Sequence, residues 1–207
     1  IESKSIIYTV AILILSVLIK FAWVCYIKTP MYSDFNTDWL YARQILNSHY
    51  HIIPSRMTLG VPNAAHAGYT LLLTFWIAVF GNSIASLYFM LISIQTIFAF
   101  FCARVSYYLI PQFKVYKFSL LLFSIAPCFI FYSTINDSQQ LGIMFLFIGF
   151  FLVLYQQTNK HYLNRIMSYS LITLAFTSFF LADLARTSLL IHSVLFLIFM
   201  TNYGITK

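Results

Sequence analysis

Ile6-Ile-Tyr-Thr-Val-Ala-Ile-Leu-Ile-Leu-Ser-Val-Leu-Ile-Lys-Phe-Ala-Trp-Val-Cys-Tyr-Ile27 carries a single charge, Lys20, along its whole length. About 20 such residues in a helix cross the hydrocarbon core of a bilayer. The run is too long for a signal-peptide core, and no small-residue cleavage site follows it. It reads as a membrane span, and the rest of the chain agrees. Of 207 residues, 61% are hydrophobic and only 8% are charged. A soluble domain carries roughly a quarter charged residues, so a water-soluble enzyme is excluded. Cys25, Cys102 and Cys128 all lie in apolar runs and read as small core residues, not as a disulfide framework.

Beyond the first span comes the one substantial polar stretch, Lys28 to Ala67, with Asp34, Asp38, Arg43, Arg56, His49, His51 and His66. Four more apolar runs follow: Ser83 to Leu109, Phe118 to Ile135, Gln139 to Tyr155, and Ile166 to Met200. As one helix the last would be about 52 Å long at 1.5 Å per residue, too long for a ~30 Å core. Asp183 and Arg186 lie midway along it and divide it into two short spans. The expected architecture is therefore an all-α integral membrane protein of about six spans. It forms one module over 1–207: a first span at 6–27, an extracytoplasmic loop at 28–82 containing surface helices, and the remaining spans at 83–207.

Charge sets the orientation. Gly68 to Gly81 is apolar but short for a span. If it does not cross, Lys4, Arg104, Lys114, Lys117, Lys160, Arg165 and Lys207 share one side, and only Lys28, Arg43, Arg56 and Arg186 lie on the other. If it crosses, that bias reverses. Lys and Arg concentrate on the cytoplasmic side, so the segment is expected to lie along the outer surface, with the amino terminus in the cytoplasm. The net charge of +7 then reports orientation and gives no reason to expect nucleic acid. Four of the five acidic residues, Asp34, Asp38, Asp137 and Asp183, converge on the outer face.

The outer loop opens Met31-Tyr-Ser-Asp-Phe-Asn-Thr-Asp-Trp-Leu-Tyr-Ala-Arg43. Asn36 or Thr37 can cap a helix with Asp38 in its first turn. Asp34 would sit just before it, where the helix dipole favours the ionised carboxylate that a general base requires; capping is the alternative role. Asp137 lies in Asn136-Asp-Ser138, which can cap the following span or supply a second acidic group. Asp183 and Arg186 share a face if one helix runs through them, and an ion pair explains both. An intramembrane Arg also suggests a phosphate partner. Lys20 is a second candidate for that partner, unless it snorkels outward from its span. His49, His51 and His66 could join Asp34 around a divalent cation, although no His-Glu-x-x-His spacing is present. Phe and Tyr spread over every span, as lipid-facing residues do.

Four segments in order resemble the GT-C superfamily of membrane glycosyltransferases, which includes the protein O-mannosyltransferases and the aminoarabinose transferases. They are Ser33-Asp-Phe with Tyr41-Ala42; Gly68-Tyr-Thr-Leu-Leu-Leu followed by Val79-Phe-Gly-Asn-Ser83; Tyr132-Ser133 before the fourth span; and Leu184-Ala-Arg-Thr-Ser-Leu. The resemblance covers nearly all of the chain, but only the amino-terminal half of a typical member. It implies transfer of a sugar from a polyprenyl-phosphate donor to an acceptor glycan, lipid or protein on the extracytoplasmic side, with inversion in a single displacement. Asp34 falls at the family's catalytic Asp. Gln139 stands where Glu or Asp is common, with Asp137 two residues earlier, and Pro is missing from the second and fourth motifs.

Two other readings fit the same residues: a non-catalytic subunit or degenerate relative that binds a lipid-phosphate carrier or a partner protein, and a small transporter or flippase. A transporter is expected to line the bilayer midplane with polar groups, whereas the ionisable groups here gather at the outer face. Richness in Ile, Phe, Lys, Asn and Tyr suggests an AT-rich genome and a bacterial plasma membrane.

Overall fold

A computed structural model describes residues 2–27, 34–49, 67–132 and 138–186, together with Ile191, Val194 and Ile198. Every regular element among the described residues is a helix. The helices are α1 (Glu2–Ile27), α2 (Asp34–Asn47), α3 (Ala67–Phe80), α4 (Ile84–Leu109), α5 (Phe113–Ile125), α6 (Pro127–Tyr132), α7 (Ser138–Thr158) and α8 (Arg165–Ala185). Four of them are long and apolar enough to cross a membrane: Ser5–Ile27, Ile84–Leu109, Ser138–Thr158 and Arg165–Ala185. The chain is thus an all-α protein with the character of an integral membrane protein.

Local chemistry sets the boundaries. α3 stops at Gly81, whose φ of +86° is open to glycine at little steric cost; its N–H donates to Ile77 O at 2.9 Å. Ser83 then caps α4 by accepting from Ser86 N at 3.1 Å, and Asn164 caps α8 by accepting from Met167 N at 2.8 Å. Pro111 sits in the tight turn between α4 and α5, and Pro127 opens α6 after Ala126 leaves the helix with ψ 140°.

Side-chain contacts fix the relative directions. Thr9 pairs with Tyr116 at 2.7 Å, and Ser16 Oγ donates to Ser124 O at 2.9 Å, so α1 and α5 run parallel. Tyr8, Ile12 and Leu13 pack on Ala103 near the end of α4, so α1 and α4 are antiparallel. Gln95 bonds Gln140 and Tyr108 meets Tyr155 edge to face, so α7 runs parallel to α4. Phe150 meets Phe179, and Gln156 Nε2 donates to Ser168 Oγ at 2.9 Å, which brings α8 back antiparallel to α7. The bundle therefore has two distinct ends. One holds the start of α1 and the α4–α5 and α7–α8 turns. The other holds the end of α1, helices α2 and α3, the start of α4, the start of α7 and the end of α8. The main core lies toward this second end, where Tyr69, Leu73 and Ile77 of α3 meet Leu87, Met90 and Leu91 of α4, with Trp39 and Ala42 of α2.

Several expectations from sequence are corrected. α2 begins at Asp34, so Asn36 and Thr37 lie inside it and Asp38 is in its second turn. The third apolar run starts earlier, at Phe113, and is broken at Ala126. α8 ends at Ala185 and Arg186 is extended, so Asp183 and Arg186 do not share a helix. Lys20 does not snorkel; it is 0% exposed. Cys25 and Cys128 are exposed, and only Cys102 is a core residue. Many of the aromatic rings face inward: Phe98 alone contacts Phe123, Phe129 and Phe147, joining four helices. α8 ends at Ala185, between the two charges at which the 166–200 run is expected to divide. Of the run's second half, Ile191, Val194 and Ile198 are described, and they are helical and exposed.

Candidate functional site

α2 and α3 form a small platform at the second end of the bundle. α2 turns one face inward through Asp38, Trp39, Tyr41, Ala42 and Ile45, all buried. α3 answers with Tyr69, Thr70, Leu73 and Thr74. Asp38 is 4% exposed, and its Oδ1 accepts a hydrogen bond from Thr70 Oγ1 at 3.4 Å. Thr74 Oγ1 lies 3.4 Å from Ala42 O and donates to Thr70 O at 2.9 Å. Asp38 is therefore an internal tie between α2 and α3. Asp34 lies one helical turn earlier on α2 and opens that helix. There the unsatisfied N–H groups of the first turn and the helix dipole favour an anion.

The platform is joined to α8 at Gly68. A Cβ at that position would lie 2.6 Å from Leu184 O, so only glycine permits this approach. The contact brings the start of α3 against the last turn of α8, next to Asp183 and Arg186. Arg186 caps α8 through its backbone N–H to Ala182 O, while its Nη1 reaches across to Ser138 Oγ of α7 at 3.4 Å. Asp183 Oδ1 is buried and has no hydrogen-bond partner among the described residues. Deeper along α7, Gln95 Nε2 donates to Gln140 Oε1 at 2.7 Å, and Gln95 Oε1 has no partner among the described residues. Polar groups thus run from Arg186 through Ser138 to the Gln140–Gln95 pair.

Lys20 stands elsewhere. Ser16, Lys20 and Val24 make up the buried face of α1, and Ser16 meets α5. Of the two cations read as phosphate candidates, Arg186 reaches α7, and Lys20 lies on the buried face of α1. Asp137, His51, His66 and the side chain of Asp34 lie outside the described residues. His49, two residues past the end of α2, is a left-handed turn residue with φ 54°. Among the described residues no group of three His, Cys, Asp or Glu side chains comes together. Sequence reasoning named Ser138 only as a cap, and missed Thr70, Gln95 and Gln140. Thr70 and Thr74, four apart in an apolar helix, were a legible signal; a lone Ser or Gln in a span was not.

The fold and this end of the bundle define a class: a helical membrane protein with acidic and basic side chains gathered beside two short helices. No family model, curated protein or solved structure matches the chain.

Proposed function

We propose that the chain is the amino-terminal membrane module of a glycosyltransferase that takes a sugar from a polyprenyl-phosphate donor. Transfer would take place at the end of the bundle that carries α2 and α3, on the extracytoplasmic side of a bacterial plasma membrane. The observation that carries this reading is the division of charge between the two ends. Asp34, Asp38, Asp183 and Arg186 belong to the α2–α3 end, while Arg104, Lys114, Lys117, Lys160 and Arg165 lie toward the other. Transfer from a lipid phosphate needs a base for the acceptor hydroxyl and positive charge for the departing phosphate. Asp34, at the start of α2, is the base. Arg186, held at Ser138, is the phosphate ligand, and its guanidinium fork suits a phosphate. A divalent cation, with Asp137 or His66 among its ligands, would supply further charge to the leaving group. Attack on the side opposite the phosphate inverts the anomeric centre. Transfer to the acceptor rather than to water requires that water be kept from the donor during the reaction.

The test is binding of a radiolabelled polyprenyl phosphate to the purified chain in detergent. An Asp183→Asn, Arg186→Gln double variant should stay folded and lose binding. Normal binding by that variant would make Arg186 structural and remove the proposed leaving-group ligand.

A further inference from the structure

The third apolar run is interrupted, and the interruption lies level with the buried lysine of α1. α5 ends at Ile125, Ala126 is extended, and α6 restarts at Pro127. Ala126 N–H still closes on Leu122 O at 3.0 Å, and Phe129 N–H closes on Ala126 O at 2.9 Å. Pro127 has no N–H to give to Phe123 O, the carbonyl four residues back. Ser124 O finds a donor outside its own helix, in Ser16 Oγ of α1. The break thus turns the negative, carbonyl end of a helix inward. Irregular backbone at this depth is tolerated only where it is buried in protein or lines a polar cavity.

The register of α1 on α5 places Lys20 at that break. Thr9 pairs with Tyr116, an offset of 107, and Ser16 with Ser124, an offset of 108. Farther along, Ile19, Ala22, Trp23 and Tyr26 line one groove of about 340 Å³ together with Pro127 and Ile130. Lys20 is therefore level with Pro127. It lies one turn beyond Ser16 on the face that meets α5, and it is 0% exposed. Three polar atoms here, Lys20 Nζ, Trp23 Nε1 and Ser124 Oγ, are buried and have no hydrogen-bond partner among the described residues. Two of them can only donate. An excess of donors beside the Phe123 carbonyl, left without its intrahelical N–H, suits water molecules that accept from the ammonium and donate to the carbonyl.

We infer that Lys20 is the charged centre of an internal water site, its ammonium holding the open carbonyl end of α5 through bound water. The site takes water or another small group that both accepts and donates. Its positive charge complements the helix terminus in the way that a basic residue does at a surface C-terminus. Lys20 acts here as a positioning residue for the interrupted helix, and this role does not depend on sugar transfer.

The test is a double-mutant cycle in detergent, read as the folded-to-unfolded ratio in a denaturant titration. Lys20→Met removes the charge, and Pro127→Ala restores the missing N–H so that the helix can close on itself. In the parent background Lys20→Met should lower the ratio at least about threefold, within the usual coupling range for residues in one network. In the Pro127→Ala background it should change little. Lys20→Arg should restore most of the loss. If Lys20→Met does not fold alone, folding of the Lys20→Met, Pro127→Ala pair supports the assignment, and failure of that pair overturns it. An equal loss in both backgrounds, or no loss in either, also overturns it. So does a neutral Nζ in a nitrogen NMR spectrum of labelled lysine at pH 7. Loss of polyprenyl-phosphate binding in both backgrounds with the fold intact would instead make Lys20 a phosphate ligand, overturning this inference while upholding the proposed function.

Discussion

Asp34 and Asp38 sit four residues apart on α2, and the proposed mechanism gives them separate roles. Asp38 is enclosed between two helices and is bonded to Thr70. Asp38→Ala should therefore act on stability, leaving the Thr70 hydroxyl short of an acceptor and lowering unfolding free energy by about 1–3 kcal/mol. Asp38→Asn keeps an acceptor oxygen and should lose less. Asp34→Asn should do the reverse, with an unchanged denaturation midpoint and a ~10²–10⁴-fold fall in transfer by the full-length gene product, as expected for loss of a general base. A collapse of transfer in Asp38→Asn with Asp34→Asn unaffected would exchange the two roles. The sequence singled out both carboxylates but could not say which was enclosed. That depended on where α2 begins, and a start at Asp34 turns Asp38 toward α3, which lies more than twenty residues away in the chain.

At the scale of the helices, close approach is set by two glycines. A Cβ on Gly149 of α7 would collide with the ring of Phe179 on α8, and one on Gly68 would meet the backbone of Leu184. A ring can swing aside, whereas a helix backbone cannot. Gly149→Ala should therefore be the milder change, with a loss of about 1–3 kcal/mol from overpacking. Gly68→Ala should push α3 off α8 and lower the denaturation midpoint further. Equal midpoints for the two variants would show that α8 gives way as easily as a side chain does. The apolar runs made most helices legible, since their lengths and capping residues mark them locally. The α7–α8 and α3–α8 contacts were not legible, because a glycine inside a helix does not say which distant surface it admits. The break at Ala126 was missed although Pro127 marked it, because the apolar run continues unbroken on both sides.

For the whole molecule, the directions of the helices decide which segments can share a side of the membrane. α1 and α4 are antiparallel, so the end of α1 and the start of α4 lie together, and the segment between them returns to the end from which it left. This supports the reading of α3 as a helix that does not span, made first from Lys and Arg placement alone. The interior packing and the positive-inside tendency are independent physical effects, one set by side-chain fit and the other by the membrane surface. They lead to the same arrangement. Single cysteines placed at Asn82, Lys114 and Lys160, with Cys25, Cys102 and Cys128 replaced by Ala, should then divide cleanly. A membrane-impermeant thiol reagent added outside intact cells should modify position 82. Positions 114 and 160 should react only after the membrane is opened. If 82 and 114 react from the same side, α4 does not separate them, and the extracytoplasmic placement of Asp34 and Arg186 falls with it. If all three are inverted, the bundle stands but its basic end faces outward, and a lipid-linked donor would have to be used on the cytoplasmic side.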